Sequence, residues 1–460
     1  MHVSAHLDID LIAIDQADQV TALLELTAPE NPATQQRPGR TLMLVLDRSG
    51  SMGGEPLDAA KDAIGRLARQ LAPHDCFGLV VFDDQAEVVI PPMLMADHAM
   101  ESLQRAITGI HSGGSTDLAA GYVLALREVK RSLAQTKHTG ATVLLVSDGH
   151  ANHGITEPDR LKEVAAKALT DGMITSTLGL GLGYDEVLLD AITRGGNGNH
   201  RFAPDIDTAV HEIQQTVTDL LDVSVIAATL RITPHGDAID GIRLRQDLPV
   251  WREPGALVIN IGDLYAGEER KVLLTFDVPA VPDLGTCTIA EITLDFTTAA
   301  DLVEHHVALP LSVNVVPGDQ ARDRVPNPVV QIEQLLADAD DAKKSATQAL
   351  RDHDASGAKS TLDGTLGAIR RLRTDLAPLD DEDLLSRLDG ASQDLEGLRM
   401  SLDIEVAEHS MKLMTDSLAM TTRGRKVKPK PSPKPRPSGS AVRPPRESGE
   451  VDDSGEVASG

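Results

Sequence analysis

The stretch Thr41-Leu42-Met43-Leu44-Val45-Leu46-Asp47-Arg48-Ser49-Gly50-Ser51-Met52-Gly53-Gly54 decides how the chain is read. After Thr41 its first half is a continuous apolar run with no polar alternation. A strand covered on both faces has this pattern, and such strands belong to parallel sheets. The second half breaks the run with an acid, two serines and three glycines, and helical periodicity follows over roughly residues 56–71. In sheets of this kind ligands sit at the carboxyl ends of strands, which is where Asp47 falls.

Moving outward, strands are expected near residues 76–82 and 87–90, and helices near 98–108 and from 116 to about 133. A second buried strand, 142–146, is followed by a helix at 158–170, a strand at 174–179, a helix at 185–192, a short strand at 200–202 and a helix at 206–221. Strands alternating with helices predict a doubly wound α/β domain over residues 40–222, with a mostly parallel, Rossmann-like sheet covered on both sides.

The flanks differ in texture. Val3, Ala5, Leu7, Ile9 and Leu11 alternate with polar residues, as do Val20, Ala22, Leu24 and Leu26. Period two returns at Val272, Leu274, Phe276 and Val278 and at Val307, Leu309, Leu311, Val313 and Val315. Two strands alone are barely stable, so residues 1–30 are expected to pair with 223–316. The α/β domain then reads as an insertion into a discontinuous β-sandwich, with 31–40 as a linker. Residues 327–420 show helical stripes (Leu362, Leu366, Ile369 and Leu372; Leu384, Leu388, Leu395, Leu398 and Leu402), which predict two or three helices. Those helices either bury their own seam or offer it to a partner or a second copy.

Residues 421–460 have the composition of a disordered tail, Pro-rich and basic and then acidic. Nine Lys/Arg and no acid fall in 421–446, and five acids and no base in 447–460. The chain carries −27 in total, which leaves −31 on residues 1–420. A body so acidic repels nucleic acid and anionic membrane, and at 2% aromatics it lacks stacking platforms for bases. The basic tail fits a solvated segment, a ligand for an SH3-like domain, or a weak contact with an anionic surface. No apolar run reaches the ~18 residues of a membrane span, the start lacks a secretory pattern, and Cys76 and Cys287 suggest neither a disulfide framework nor a zinc site. A cytoplasmic protein is the expectation.

Three segments carry the chemistry: Asp47-Arg48-Ser49-Gly50-Ser51, Gly113-Gly114-Ser115-Thr116-Asp117 and Val146-Ser147-Asp148-Gly149. All should meet at one edge of the sheet. Together Asp47, Ser49, Ser51, Thr116 and Asp148 bring two carboxylates and three hydroxyls, hard oxygen donors suited to Mg²⁺ or Mn²⁺ and less to Ca²⁺. This set resembles the metal-ion-dependent adhesion site of the von Willebrand factor A family, and the text over about residues 40–221 is similar to that family. The flanking β-regions resemble bacterial proteins that carry an A domain and, more distantly, inter-alpha-trypsin-inhibitor heavy chains.

The resemblance implies a binding site rather than a catalyst. Ser49, Ser51 and Thr116 would touch the metal, Asp47 and Asp148 would act largely through water, and Thr116 and Asp148 would exchange in a high-affinity state. A partner's Glu or Asp would fill the open position, giving a metal-dependent protein-binding module with an adaptor or assembly role. It also implies that the last helix of the domain, 206–221, moves with ligand binding. A regulatory subunit of a separate AAA+ ATPase, of MoxR or chelatase type, is the alternative; this chain has no phosphate-binding G-x-x-x-x-G-K-[ST] of its own. A metal-dependent hydrolase would need a general base or nucleophile that the segments do not offer. An aspartyl-phosphate mechanism would need an acid two residues after Asp47, where Ser49 stands. Gly179, Gly181 and Gly183 depart from dinucleotide-loop spacing, while His150, Asn152 and His153 read either as groove-lining or as plain loop polars. Arg48 is read as exposed beside the site, and Cys76 as a small buried hydrophobe.

Overall fold

The computed structural model describes residues 1–30, 38–136, 138, 140–221, 223–379, 381–404 and 407–421. The expected disordered tail beyond 421 and most of the expected 31–40 linker lie outside the described residues. The chain opens with β1 (His2–Leu7), β2 (Leu11–Ala13) and β3 (Asp18–Thr27). Then come β4 (Thr41–Asp47), α1 (Glu55–Gln70), β5 (Cys76–Phe82), β6 (Ala86–Leu94), α2 (Met100–Thr108), α3 (Leu118–Gln135), β7 (Ala141–Ser147) and α4 (Pro158–Thr170). Next are β8 (Met173–Leu180), α5 (Glu186–Gly195), β9 (Asn197–Ala203) and α6 (Ile206–Leu221). A second β-rich stretch holds β10 (Val223–Pro234), β11 (Gly241–Leu244), β12 (Val250–Glu253), β13 (Ala256–Tyr265), β14 (Glu269–Val278), β15 (Gly285–Thr298) and β16 (Glu304–Val316). Helices α7 (Gly318–Arg322), α8 (Pro328–Arg351), α9 (Ala355–Leu376), α10 (Glu382–Ile404) and α11 (Ala407–Thr421) close the described chain.

The α/β sheet has the order β6-β5-β4-β7-β8-β9, parallel except for the β5–β6 pair. Leu42, Leu44 and Leu46 of β4 face a core shared with α1, α2 and α6, while Met43 and Val45 face a second core shared with α3, α4 and α5. That two-sided burial is why β4 reads as unbroken apolar sequence. From β4 the chain winds outward through β5 and β6, then returns to β7 on the other side of β4. The point where strand order reverses therefore lies between the carboxyl ends of β4 and β7, where sheets of this type open a crevice.

Two further sheets, β1-β3-β14-β11 and β12-β13-β10-β15-β16-β2, enclose one apolar core. The N-terminal strand β3 pairs along its whole length with β14, from Thr27 opposite Glu269 to Asp18 opposite Val278. The expected pairing of residues 1–30 with the later β-region is thus present, and the α/β elements lie between the two contributions.

The structure departs from the sequence reading in three places. The alternation from Val3 to Leu11 is not one strand. The chain turns at Asp8, whose Oδ1 accepts from the amides of Ile9 and Thr21 at 2.7 and 2.8 Å, and β2 crosses to the other sheet beside β16. Short strands β11 and β12 occupy a stretch in which no strand is read from sequence. Finally, the described residues of the stretch expected to hold two or three helices form four long ones, α8–α11. α8 and α9 part at His353, which takes φ 60°, and at Asp354, which caps α9 by accepting from the Gly357 amide at 2.8 Å. These helices bury a common apolar seam. α8 also covers the outer face of the smaller sheet through Val330 on Leu23 and Leu273. Among the described residues no helix is long and apolar enough to cross a membrane.

Candidate metal centre

β4 delivers Asp47 to the reversal point as a fully buried carboxylate. Its Oδ1 accepts from the Ser49 amide at 2.8 Å, which bends the chain out of the strand into the single 3₁₀ turn Gly50–Met52. Its Oδ2 accepts from the Ser147 hydroxyl at 2.6 Å, at the end of β7. The site serines follow from this turn: Ser49 Oγ lies 3.2 Å from Ser51 Oγ, and Ser51 Oγ donates to Asp148 Oδ1 at 2.8 Å.

The third loop is locked to the first by its backbone. The Gly113 amide donates to Arg48 O at 2.9 Å, and the Gly50 amide donates to Gly114 O at 3.2 Å. Gly114 takes φ 39°, and a Cβ there would fall 2.4 Å from Asp84 Oδ1, so a side chain at this position would be strained and would displace Asp84. Thr116 follows, 4% exposed, its amide donating to Asn152 Oδ1 at 3.0 Å. Its carbonyl accepts from the amides of Asn152 and His153 at 3.2 and 3.3 Å. Asp117 caps α3 by accepting from the Ala120 amide at 2.9 Å.

The three hydroxyls converge. A Cβ on Gly149 would lie 3.5 Å from Thr116 Oγ1, 3.6 Å from Ser51 Oγ and 4.0 Å from Ser49 Oγ. All five residues singled out in the sequence thus come together, with Asp47 beneath them and Asp148 bonded to Ser51. Among the described residues no group of three or more His, Cys, Asp and Glu is placed to hold a metal ion; in this cluster three hydroxyls stand beside two carboxylates.

The electrostatics favour a cation. Burial pushes the Asp47 carboxyl above its ordinary range, with the charge of Asp83 adding and bonds from Ser147 and Ser49 opposing. Burial also pushes Asp148 up to about 6, opposed by the Ser51 bond and reinforced by the charge of Asp47. Two adjacent carboxylates short of counter-charge are stabilised by a bound cation. Arg48, expected to be exposed beside the site, is instead held in a fork: Nε lies 2.9 Å from Asp83 Oδ2 and Nη1 3.1 Å from Glu87 Oε2.

Two residues near the site take positioning roles that the sequence reading did not assign them. Ser147 holds Asp47, and Asn152 holds the Thr116 backbone; both are common residues whose role shows only once three loops are assembled. His150 is exposed, and its Nδ1 stands 3.8 Å from Asp185 Oδ2. Gly179, Gly181 and Gly183 sit in and just after β8, as part of the turn into α5.

With this geometry in place, the comparisons agree on the class of domain. Residues 42–150 match the family model for the von Willebrand factor type A domain. A structure of a von Willebrand factor type A protein from Catenulispora acidiphila superposes with a TM-score of 0.70 at 15% identity, covering 93% of this chain and 97% of that one. The ArnB paralog VWA2 from Sulfolobus acidocaldarius gives 0.62 at 16% identity, covering 92% and 98%. The likeness therefore extends beyond the α/β sheet to the sandwich and helices. In sequence, an uncharacterized protein of Synechocystis sp. is 27% identical over 241 residues, 51% of this chain and 56% of that protein. YfbK of Escherichia coli is 26% identical over 190 residues (41% and 32%), and human inter-alpha-trypsin inhibitor heavy chain H1 is 22% identical over 191 (41% and 21%). The matches span about half or less of these relatives' own length.

Proposed function

We propose that Asp47, Ser49, Ser51, Thr116 and Asp148 hold a divalent cation, Mg²⁺ or Mn²⁺, which in turn binds a Glu or Asp side chain of a protein partner. The observation that carries this reading is the convergence of three hydroxyls from separate loop positions on one point, above a buried carboxylate and beside a second. Neutral hydroxyl donors leave most of the cation's charge unspent, so it attracts one more hard anionic ligand. Mg²⁺ suits few protein ligands supplemented by water.

The surroundings support binding rather than turnover. Arg48 is engaged by Asp83 and Glu87, and the imidazole of His150 faces Asp185. The sandwich serves in this reading as the scaffold that presents the α/β domain. Because the body is acidic, an acidic partner is repelled unless the cation is bound, so association should depend strictly on metal.

The test is capture of partners on immobilised protein, from lysate of the source cells, with Mg²⁺ or with EDTA, beside a Ser49→Ala/Ser51→Ala variant. A protein retained by wild type with metal, and lost with EDTA or with the variant, supports the reading and identifies the partner. Partners indifferent to both changes move the binding function to the helices or the tail.

A further inference from the structure

The C-terminal helix α11 reaches back to the α/β domain and grips it with a buried lysine. Lys412 has no exposed surface. Its ammonium donates to the carbonyls of Leu182 and Tyr184, the latter at 3.2 Å. It lies 4.6 Å from the centre of the Tyr184 ring and 3.8 Å from Glu186 Oε2. One turn further along, Asp416 Oδ1 accepts from the Phe202 amide of the edge strand β9 at 3.0 Å. Leu413 packs against the α/β core and the helical seam alike.

A charge without water is costly unless its donors are met. Three acceptors near Lys412, the carbonyls of Leu182 and Tyr184 and the Glu186 carboxylate, lie on the segment that joins β8 to α5 and on the first residue of that helix. That segment also leans on the metal centre. A Cβ on Gly183 would fall 2.9 Å from the Asp148 carbonyl oxygen, so its backbone runs directly against the turn that carries Asp148. Asp185, in the same segment, caps α5 through the Leu188 amide at 3.0 Å and faces His150 at 3.8 Å. One short segment thus has Lys412 on one side and the Asp148 turn on the other.

We infer that Lys412 is a positioning residue for the metal centre: it fixes the 182–184 backbone against the Asp148 turn, so that cation binding and the docking of α11 are linked. The inference rests on the metal-binding reading proposed above. Linkage is reciprocal. A cation that orders the Asp148 turn tightens the grip on α11, and release of α11 loosens the centre. The helices thereby become part of the binding device rather than an appendage to it.

Calorimetric titration of the full chain with Mn²⁺ tests this, using wild type, Lys412→Met and Asp416→Asn. Asp416→Asn alters the same helix at its bond to strand β9 and leaves the Lys412 bonds to the Leu182 and Tyr184 carbonyls in place. Lys412→Met should bind Mn²⁺ about fivefold or more weakly, whereas Asp416→Asn should stay within about twofold of wild type. Hydrogen exchange of the wild type should show Mg²⁺ slowing the amides of 181–185 and 410–418, an effect absent in Ser49→Ala/Ser51→Ala. A folded Lys412→Met with wild-type affinity overturns the inference. So does equal weakening by both helix variants, which would mark α11 as support only. Should Lys412→Met fail to fold, the exchange experiment decides: unchanged protection of α11 on adding Mg²⁺ overturns the inference, and slowed exchange upholds it. A wild type that binds no Mn²⁺ overturns the metal centre itself, a result distinct from all of these.

Discussion

Ser147 donates its hydroxyl to Asp47 Oδ2 at 2.6 Å, tying together the carboxyl ends of the two strands between which the sheet reverses direction. The bond orients a carboxylate that has no exposed surface and leaves its other oxygen to the Ser49 amide. Ser147→Ala should therefore weaken Mg²⁺ binding about tenfold or more, as loss of an outer hydrogen bond does in other metal sites. It should also lower stability by about 1–3 kcal/mol, the cost of leaving a buried acceptor unmet. Calorimetric titration and urea unfolding of the variant read the two effects separately.

Gly149 offers a cleaner separation of binding from folding. Its Cβ position lies 3.5–4.0 Å from the three site hydroxyls, ordinary van der Waals contact for a methyl group. Gly149→Ala should fold with a stability change within about 0.5 kcal/mol yet crowd the space the cation needs. Loss of Mn²⁺ binding with an unchanged unfolding midpoint is the expected result.

His200 sets a pH dependence of stability. It is fully buried, with Nδ1 2.7 Å from Thr177 Oγ1 and Nε2 3.3 Å from the Tyr184 hydroxyl. Burial pushes its pKa down to about 4, with Asp416 opposing and Arg194 reinforcing. The unfolded chain takes up this proton near its ordinary pKa of about 6.5, while the folded chain refuses it until about pH 4. Its contribution is therefore fully present above about pH 6.5 and declines as pH falls, by roughly 3 kcal/mol at the limit. Urea unfolding at several pH values between neutral and the folded pKa should show this slope in wild type and a flatter one in His200→Gln.

Arg270 tests the sandwich. It lies on β14 at the same parity as Val272, Leu274 and Phe276, and so points inward with no exposed surface. Its guanidinium meets Glu268 Oε1 at 2.8 and 3.2 Å and the Ile261 carbonyl at 3.1 Å. Arg270→Ala leaves the largely covered Glu268 side chain without this partner and should cost about 3–5 kcal/mol. Thermal unfolding checks it; a shift no larger than that of an exposed substitution such as Arg66→Ala would contradict the expectation.

The α/β half was largely legible in the sequence because its information is local. β4, β5 and β7 are apolar on both faces, their boundaries fall where polar residues begin, and Asp47, Ser49, Ser51 and Asp148 stand at or just past those boundaries, while Thr116 stands just before α3. What the sequence hid depends on long-range pairing. The turn at Asp8 follows from its bonds to Thr21 across two strands, which no periodicity records. The break between α8 and α9 uses neither Gly nor Pro, only a left-handed His353 and a capping Asp354. Arg270 interrupts an otherwise apolar inward face, and its partner Glu268 stands two residues away but is not marked as buried by its own type. Lys412 reads as a solvated helix lysine until α11 is placed beside Tyr184. In each case the residue type is ordinary, and only its distant neighbour gives it a role.

Cation binding by the hydroxyl cluster is the property on which the proposed function depends most directly. Calorimetric titration of the wild type and of Ser49→Ala/Ser51→Ala with Mg²⁺ and Mn²⁺ measures it. One cation per wild-type chain is expected, with an affinity lower by about a hundredfold or more in the double variant, which lacks two donors. Equal binding by the two proteins, or none by the wild type, would contradict it.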